Sequence, residues 1–283
     1  MTAPELVAQV RDLPAVSPAA LRLIQLLGQD TVGNAEVIQT LKCDAVLTAK
    51  LLRLCNASSI ALAEPVASVD QAVILLGHQE ILRLVLALTC GKALAAPVPG
   101  YALEANELWS HSLVTAVAAE IVAGDGIVAE ASLSVAFTVG LLHDIGKLVM
   151  GQALTPELQA TLRHEVTAHG HSRAEAERLV LGADHAEVGA CLLRAWRLPE
   201  NLVEAVASHH QPGRAAQPGL TEVVFLANCL AHLAGSAPGW EAFAVRVPPD
   251  FFARAKLTPD KLCGFLISIR EARERLNPYL HNA

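Results

Sequence analysis

The segment GLLHDIGK, residues 140–147, is the most informative part of this chain, because an apolar helical pattern ends there in an adjacent histidine and aspartate. His143 and Asp144 offer one imidazole nitrogen and one carboxylate oxygen to a single cation, a donor set suited to iron, manganese, zinc or similar ions. A helix end with a capping Asp and a core His explains the same pair. The pair alone leaves both interpretations open.

Further imidazole and carboxylate groups lie on both sides of this segment. Upstream, Glu107 and His111 in ELWSH stand four residues apart, so on a helix they project from one face. Downstream, His185 lies in DHAEVG, where Gly189 one turn later lets another helix approach closely. Each residue also has an ordinary explanation, as a solvated surface acid or as a hydrogen-bonded core histidine.

A histidine pair, His209 and His210, stands at the end of a predicted helix that begins at Pro199 and stops at QPG, residues 211–213. Positive charge is favoured at a helix C-terminus, which is the simplest explanation of the pair. However, four separate predicted helices each deliver an imidazole, and two of them also deliver a carboxylate. Together the residues favour a site for one or two divalent ions, with Fe, Mn, Zn and Ni as the alternatives.

The sequence as a whole predicts an all-α protein. Of its 283 residues 53% are apolar, mainly Ala, Leu and Val, and apolar residues recur at helical spacing without a long alternating run. Ser17 is the expected N-cap of the first predicted helix, with Pro18 as its first residue. We predict helices near residues 18–27, 34–41, 45–55, 68–76, 78–94, 102–123, 129–142, 156–168, 173–180, 184–196, 199–210, 219–234 and 259–275.

The segment AAPVPG, residues 95–100, cannot continue a helix and marks the best candidate for a boundary. We therefore predict an N-terminal helical subdomain at residues 1–97 and a helical metal-site subdomain at residues 98–283. The first is expected to pack against the second and to shape a protein-binding surface.

Charge and cysteine usage restrict the location and the partners of the chain. A formal net charge of −7 argues against DNA or an anionic membrane as the main partner. The six cysteines form no C-x-x-C pair and are expected to be core residues in a reducing cytosol. The N-terminus lacks the features of a secretory signal, and the apolar stretch at residues 81–90 is too short to span a membrane. A cytoplasmic protein is expected.

The order of these motifs resembles the HD superfamily of metal-dependent phosphohydrolases, and particularly the two-metal HD-GYP phosphodiesterases that cleave cyclic di-GMP. By that resemblance Lys147 would face a substrate phosphate. The ligands that the resemblance implies are Glu107, His111, His143, Asp144, His185, His209 and His210.

Two departures from that enzyme pattern stand out. The segment after the paired histidines reads HHQPGRAAQPG and lacks the Gly-Tyr-Pro signature. In FLANCLAH, residues 225–232, Asn228 stands where the enzymes supply a last Asp, so it would be a weak, neutral ligand that cannot bridge two ions.

The remaining motifs resemble, in order, the HDOD domain over about residues 10–235, with a helical extension to residue 283. They are LPAVSP (13–18), CDAVLTAKLLRLCNAS (43–58), VDQAVILLG (69–77), W-x-H (109–111), GLLHDIGK and HAEVGACLLRAWRLPENLVEAVASHHQP (185–212). One departure is Ala45, where the family usually has Pro, which should affect only a helix start.

This resemblance implies a bacterial signalling module that acts through protein interaction, with signalling proteins as partners, a nucleotide as a conceivable ligand and little or no catalysis. The alternative is a metal-dependent phosphohydrolase or phosphodiesterase acting on a cyclic or linear nucleotide. A third alternative is a metal-free scaffold in which the histidines only pack.

Overall fold

The computed structural model describes residues 2–9, 16–27, 32–56, 65–126, 132–216, 218–236, 247 and 251–281. Over these ranges the chain is helical, and the β pairing described there is one isolated antiparallel bridge between Val98 and Leu103. The all-α prediction is confirmed. The helices are α1 (Ala3–Gln9), α2 (Pro18–Leu27), α3 (Asn34–Lys42), α4 (Ala45–Cys55), α5 (Val69–Ala95), α6 (Glu107–Asp125), α7 (Leu133–Leu142), α8 (Gly146–Ala153), α9 (Pro156–His169), α10 (Arg173–Leu181), α11 (His185–Ala195), α12 (Glu200–Ala207), α13 (Pro218–Leu233), α14 (Phe251–Arg254) and α15 (Pro259–His281), with 3₁₀ turns at Pro99–Tyr101 and Pro212–Arg214.

The chain divides into two compact units. The larger comprises residues 1–13 and 94–275, and the smaller comprises residues 14–93 and 276–283. The sequence had assigned residues 1–13 to the first subdomain. In the structure α1 instead packs on α8 and α11, because it buries the side chain of Leu6.

Two helix starts and the helix break in the smaller unit lie where the sequence predicted them. Ser17 Oγ accepts a hydrogen bond of 3.2 Å from the backbone N–H of Ala20 at the start of α2. Asp44 caps α4 by accepting from the N–H of Leu47 at 2.9 Å, so Ala45 starts that helix without a proline. Gly77 (φ 74°, ψ 171°) interrupts α5, and the two predicted helices at residues 68–76 and 78–94 meet there.

The core of the larger unit lies where α6, α7, α13 and α15 meet. Small and branched apolar side chains fill it, among them Ala118, Val122 and Leu226, all fully buried. Gly140 brings α7 close to α6, because a Cβ at that position would lie 2.7 Å from Ala116 Cα. This packing fixes the end of α7, where the His-Asp pair follows.

Several helix boundaries differ from the prediction. Helix α6 begins at Glu107 rather than near residue 102, because residues 98–103 form a 3₁₀ turn and a β-bridge and Asn106 takes a left-handed conformation (φ 68°). Helix α12 ends at Ala207, so the paired histidines follow the helix instead of closing it. Helices α1, α8 and α14 were not predicted, since each is a short segment without a clear apolar period.

Two segments of the described chain are long and apolar enough to cross a membrane by length and composition. These are Val69–Ala95 and Leu133–Ala153, with 44% and 78% of their most apolar windows buried inside the structure. Core helices of a folded domain meet the same criterion. In the apolar stretch at residues 81–90, the buried side chains include those of Ile81, Leu84 and Leu86.

Candidate metal centre

Imidazoles from four places in the larger unit converge on the carboxylate of Asp144. His111 lies on α6, His143 and Asp144 lie in the turn between α7 and α8, and His185 is the first residue of α11. His209 and His210 lie in the turn after α12. Each of these side chains is at most 1% exposed, except that of His210, which is half-buried. The structure thus brings together six of the seven residues that the family resemblance implied as ligands.

Asp144 is at the centre of this arrangement. Its Oδ2 lies 3.6 Å from His111 Nε2 and 3.4 Å from His143 Nε2. Its Oδ1 lies 3.2 Å from His185 Nε2 and 3.9 Å from His209 Nε2. Four imidazoles therefore present the same ring nitrogen, Nε2, to one carboxylate.

In three of these rings the other nitrogen, Nδ1, forms a hydrogen bond with a backbone carbonyl. His111 Nδ1 lies 2.6 Å from the carbonyl of Ser236, His143 Nδ1 lies 2.7 Å from that of Gly140, and His209 Nδ1 lies 2.7 Å from that of Val206. A carbonyl accepts only, so each Nδ1 carries the proton and each Nε2 is left with a lone pair. This is the outer hydrogen bonding that orients histidine ligands in metal sites.

The inward-facing atoms have no hydrogen-bond partner in the described part of the chain. This holds for Nε2 of His111, His143 and His209. A buried polar atom without a partner costs free energy, about 1 to 3 kcal/mol by protein mutational data. The donor set fits a divalent transition ion, which would give these atoms the partner that the protein does not provide.

The ligand atoms fall into two groups, each with its members within 4.8 Å of one another. The first consists of His111, His143 and Asp144, and the second of His185, His209 and His210. His210 Nε2 lies 2.8 Å from His185 Nε2, so one of the two rings donates a proton to the other. The first group combines two imidazoles with a carboxylate, whereas the second contains imidazoles alone.

Glu177, a residue on α10 that the sequence interpretation missed, anchors His185. Its carboxylate is fully buried and accepts from His185 Nδ1 at 2.6 Å, from the His185 backbone N–H at 2.9 Å and from Tyr101 Oη at 2.8 Å. It also pairs with Arg173 Nε at 2.8 Å. No local motif marked Glu177, because its partners His185 and Tyr101 lie outside its own helix.

Burial and neighbouring charges determine the protonation states of the side chains in the cluster. Burial and the neighbouring His143 lower the pKa of His111 well below its usual value, and burial with His143 and His185 does the same for His209. Burial disfavours an ionised Asp144, but His143 and Lys147 outweigh it and hold its pKa well below the usual range. His111 and His209 are therefore neutral and Asp144 is ionised near neutral pH, as metal binding requires.

His185 differs from the other imidazoles. Burial opposes its protonation, but the Glu177 carboxylate and the hydrogen bond to Asp144 prevail and raise its pKa to about 10. An ion binding at Nε2 of His185 would therefore have to displace a proton.

The family resemblance implied three further residues, Lys147, Asn228 and Glu107. Lys147 is buried, and its Nζ donates to Asp144 Oδ2 at 2.8 Å, so it pairs with the central carboxylate. Asn228 is buried on α13, and its Oδ1 has no hydrogen-bond partner among the described residues. Glu107 lies outside both ligand groups, and its carboxylate accepts from the N–H of Glu104 at 2.8 Å across the start of α6. A residue that was not predicted, His232 one turn after Asn228, places its ring 4.9 Å from that of His111.

The crossing of α8 and α11 holds His185 against the His-Asp turn. A Cβ on Gly146 would collide with the carbonyl oxygen of His185 and would lie 2.6 Å from Gly189 N. The predicted role of Gly189 in a close helix approach is confirmed. Asp184 and Glu187 form a capping box that fixes the first turn of α11, and with it His185.

The comparisons with known proteins agree with this architecture. The family model of the HDOD domain matches residues 13–212. A candidate phosphohydrolase from Shewanella amazonensis SB2B is 26% identical with a TM-score of 0.67, covering 98% of this chain and 96% of that one. An HDOD domain protein of unknown function from Geobacter sulfurreducens is 26% identical with a TM-score of 0.65, covering 94% and 86%.

Two further proteins are more distant. A candidate signal transduction protein from Marinobacter aquaeolei VT8 shares the fold at 20% identity and a TM-score of 0.70, covering 96% of this chain and 64% of that one. An uncharacterised protein of Treponema pallidum (strain Nichols) is 22% identical over 236 residues, which are 81% of this chain and 44% of the relative. The chain thus spans less than half of the length of that curated relative. The family match extends over more than half of the sequence and includes the His-Asp turn, α11 and the paired histidines, so this chain belongs to the HDOD domain family.

Proposed function

We propose that this chain is a cytoplasmic bacterial signalling module that acts by binding other proteins, and that its histidine cluster holds a transition ion for a structural or sensory purpose. The ion pair between Lys147 and Asp144, at 2.8 Å in a buried site, carries this proposal. Among the described residues, Asp144 is the one carboxylate in the two ligand groups of the centre, and a fixed cation already neutralises it.

The charge balance of the centre favours one ion over two. Two dications a few ångströms apart repel each other strongly in a buried site unless anions lie between them. Here the single carboxylate is shared with Lys147, and the buried Asn228 contributes a neutral oxygen. We infer that one ion binds at His111, His143 and Asp144.

The same features argue for little hydrolysis. When bound, a divalent ion supplies Lewis-acid activation of water or of a phosphoryl oxygen. Bulk solvent has little access to the chain's own residues beside it, because His111, His143 and His209 are at most 1% exposed. Lys147 Nζ donates to Asp144 Oδ2, so contact with a substrate phosphate would require this ion pair to open.

Protein binding is supported by the smaller unit. Ile74 and Leu75 on α5 are 69% and 59% exposed, and Val46 on α4 is 65% exposed. A contiguous patch of such side chains would mark a contact site for another protein. We propose signalling proteins as the partners, and neither DNA nor a membrane.

A metal-dependent phosphohydrolase is the second candidate function. It is favoured by the nearly complete set of inward imidazoles and by the similarity to the candidate phosphohydrolase from Shewanella amazonensis. A nucleotide would be its substrate.

Turnover measurements separate the two functions. The metal-loaded full chain is assayed with cyclic di-GMP and with a generic phosphodiester, beside Asn228→Asp and Asp144→Asn. The module proposal expects no efficient turnover by the unmodified chain. Robust turnover that is lost in Asp144→Asn would establish the hydrolase instead, and a gain in Asn228→Asp alone would show that one missing carboxylate disables the site.

A further inference from the structure

A second group of metal-ligating side chains lies on the surface at the end of α9, apart from the central cluster. Glu165 and His169 stand four residues apart in the last turns of the helix, and His171 follows two residues beyond its end. Gly170, with φ of 69°, reverses the backbone there, and the N–H of His171 donates to the carbonyl of Glu165 at 3.3 Å. The helix C-cap thus folds His171 back over Glu165.

The three side chains already converge on one point. Glu165 Oε2 lies 3.0 Å from His169 Nδ1 and 3.0 Å from His171 Nδ1. One ligand atom from each residue lies within 4.8 Å of the other two. The side chains are 21%, 52% and 37% exposed for Glu165, His169 and His171, so an ion can reach them from solvent.

We propose that Glu165, His169 and His171 form a second, surface-exposed binding site for a divalent transition ion such as Zn²⁺. Ligand atoms about 2.1 Å from a tetrahedral ion lie about 3.4 Å from one another. The two separations of 3.0 Å, from Glu165 Oε2 to each Nδ1, need to widen by only about 0.4 Å, and the two imidazole ligand atoms lie within 4.8 Å of each other, so small rotations of exposed side chains complete the geometry. The backbone positions are already set by the helix and its cap.

The donor chemistry matches such an ion. Two imidazoles and a carboxylate suit zinc, nickel and copper rather than magnesium or calcium, which prefer oxygen ligands. Binding requires each ring to move its proton from Nδ1 to Nε2, a tautomer change that costs little in a ring exposed to water. Three protein ligands leave the fourth position to a water molecule.

Titration of the full chain with Zn²⁺ tests the site. Chelator-treated protein is titrated by calorimetry near neutral pH, beside the His169→Ala/His171→Ala double variant. The matched control is His164→Ala, which removes an exposed imidazole whose ring lies 5.2 Å from that of His169 but which is not one of the three ligands. We expect the double variant to take up one zinc ion fewer per chain than the unmodified protein and the control to match the unmodified protein.

Two further variants guard against indirect effects. His171→Ala lies beyond α9 and leaves its helical residues unchanged, and we expect it to weaken the surface site at least about tenfold, or about 1.4 kcal/mol. In a His143→Ala background, which disrupts the central cluster, the zinc ion assigned to α9 should persist. Equal zinc uptake by the unmodified protein and the double variant, with equal helix content by circular dichroism, would overturn the proposal, as would no zinc uptake in the His143→Ala background.

Discussion

Replacing Gly146 by Ala adds one methyl group at the crossing of α8 and α11, and we expect it to destabilise the larger unit strongly. The new Cβ would collide with the His185 carbonyl oxygen and lie 2.6 Å from Gly189 N and 2.9 Å from His185 C. These neighbours are backbone atoms, so no side-chain rotation relieves the overlap, and the helices have to separate.

The magnitude follows from the packing. Overpacking a core by a methyl group costs about 1 to 3 kcal/mol, and a collision with backbone lies at the upper end of that range. For a unit of this size, about 3 kcal/mol lowers Tm by about 6 to 12 °C. Because Gly146 stands two residues after Asp144, separation of the helices also widens the 3.2 Å gap between Asp144 and His185.

The matched control is the same change at Gly264, an exposed position inside α15. A Cβ there meets nothing within 4 Å, so Gly264→Ala should raise the stability by about 0.5 to 1 kcal/mol through the better helix propensity of Ala. The assay is thermal unfolding followed by circular dichroism. A Tm for Gly146→Ala at or above that of the unmodified protein would refute the close approach of α8 to α11.

Three further predictions follow from other parts of the structure. Asp44→Ala should cost about 1 kcal/mol near pH 7 by removing the N-cap of α4. The hydrogen bond from Leu47 lowers the pKa of Asp44, so its stabilising effect is lost as the pH falls through that lowered pKa, and denaturant unfolding should show the difference from the unmodified protein shrinking below about pH 4. Alkylation of the native protein, followed by mass spectrometry, should modify the exposed Cys43 and Cys263 first. The other three cysteines compared are buried, and burial raises the pKa of Cys55 and of Cys90 to about 11 and that of Cys229 to about 12. Fast labelling of these three would contradict the described core. Glu177→Gln should lower the free energy of unfolding by about 3 to 5 kcal/mol in denaturant unfolding, since it removes one charge of the buried ion pair with Arg173, and unchanged stability would contradict that pair.

Much of the fold follows from local sequence signals. Helical apolar spacing predicted the long helices, Ser17 marked the start of α2, and Gly77 separates the two segments of α5 where the sequence placed a break. Short helices such as α8 escaped prediction because they are stabilised by packing on neighbouring segments rather than by their own propensity.

The candidate site was predictable to the extent that its residues are local motifs. His143 with Asp144, and His209 with His210, stand out as adjacent pairs, and the structure brings them together with His111 and His185. Glu177 and His232 escaped notice because their relation to the cluster depends on the packing of α10 and α13, which no local spacing records. Glu107 shares a face with His111 in sequence, but the left-handed Asn106 and the hydrogen bond to Glu104 hold it at the start of the helix.

The metal content of the purified protein tests the central claim most directly. Protein prepared without chelator is measured by elemental analysis, beside the His143→Ala/Asp144→Ala double variant and with helix content checked by circular dichroism. The inward Nε2 atoms around Asp144 predict a bound first-row transition ion in the unmodified protein and a loss of that ion in the double variant. The same metal stoichiometry in both proteins, or no transition metal in the unmodified protein even after incubation with Fe, Mn, Zn or Ni, would contradict it.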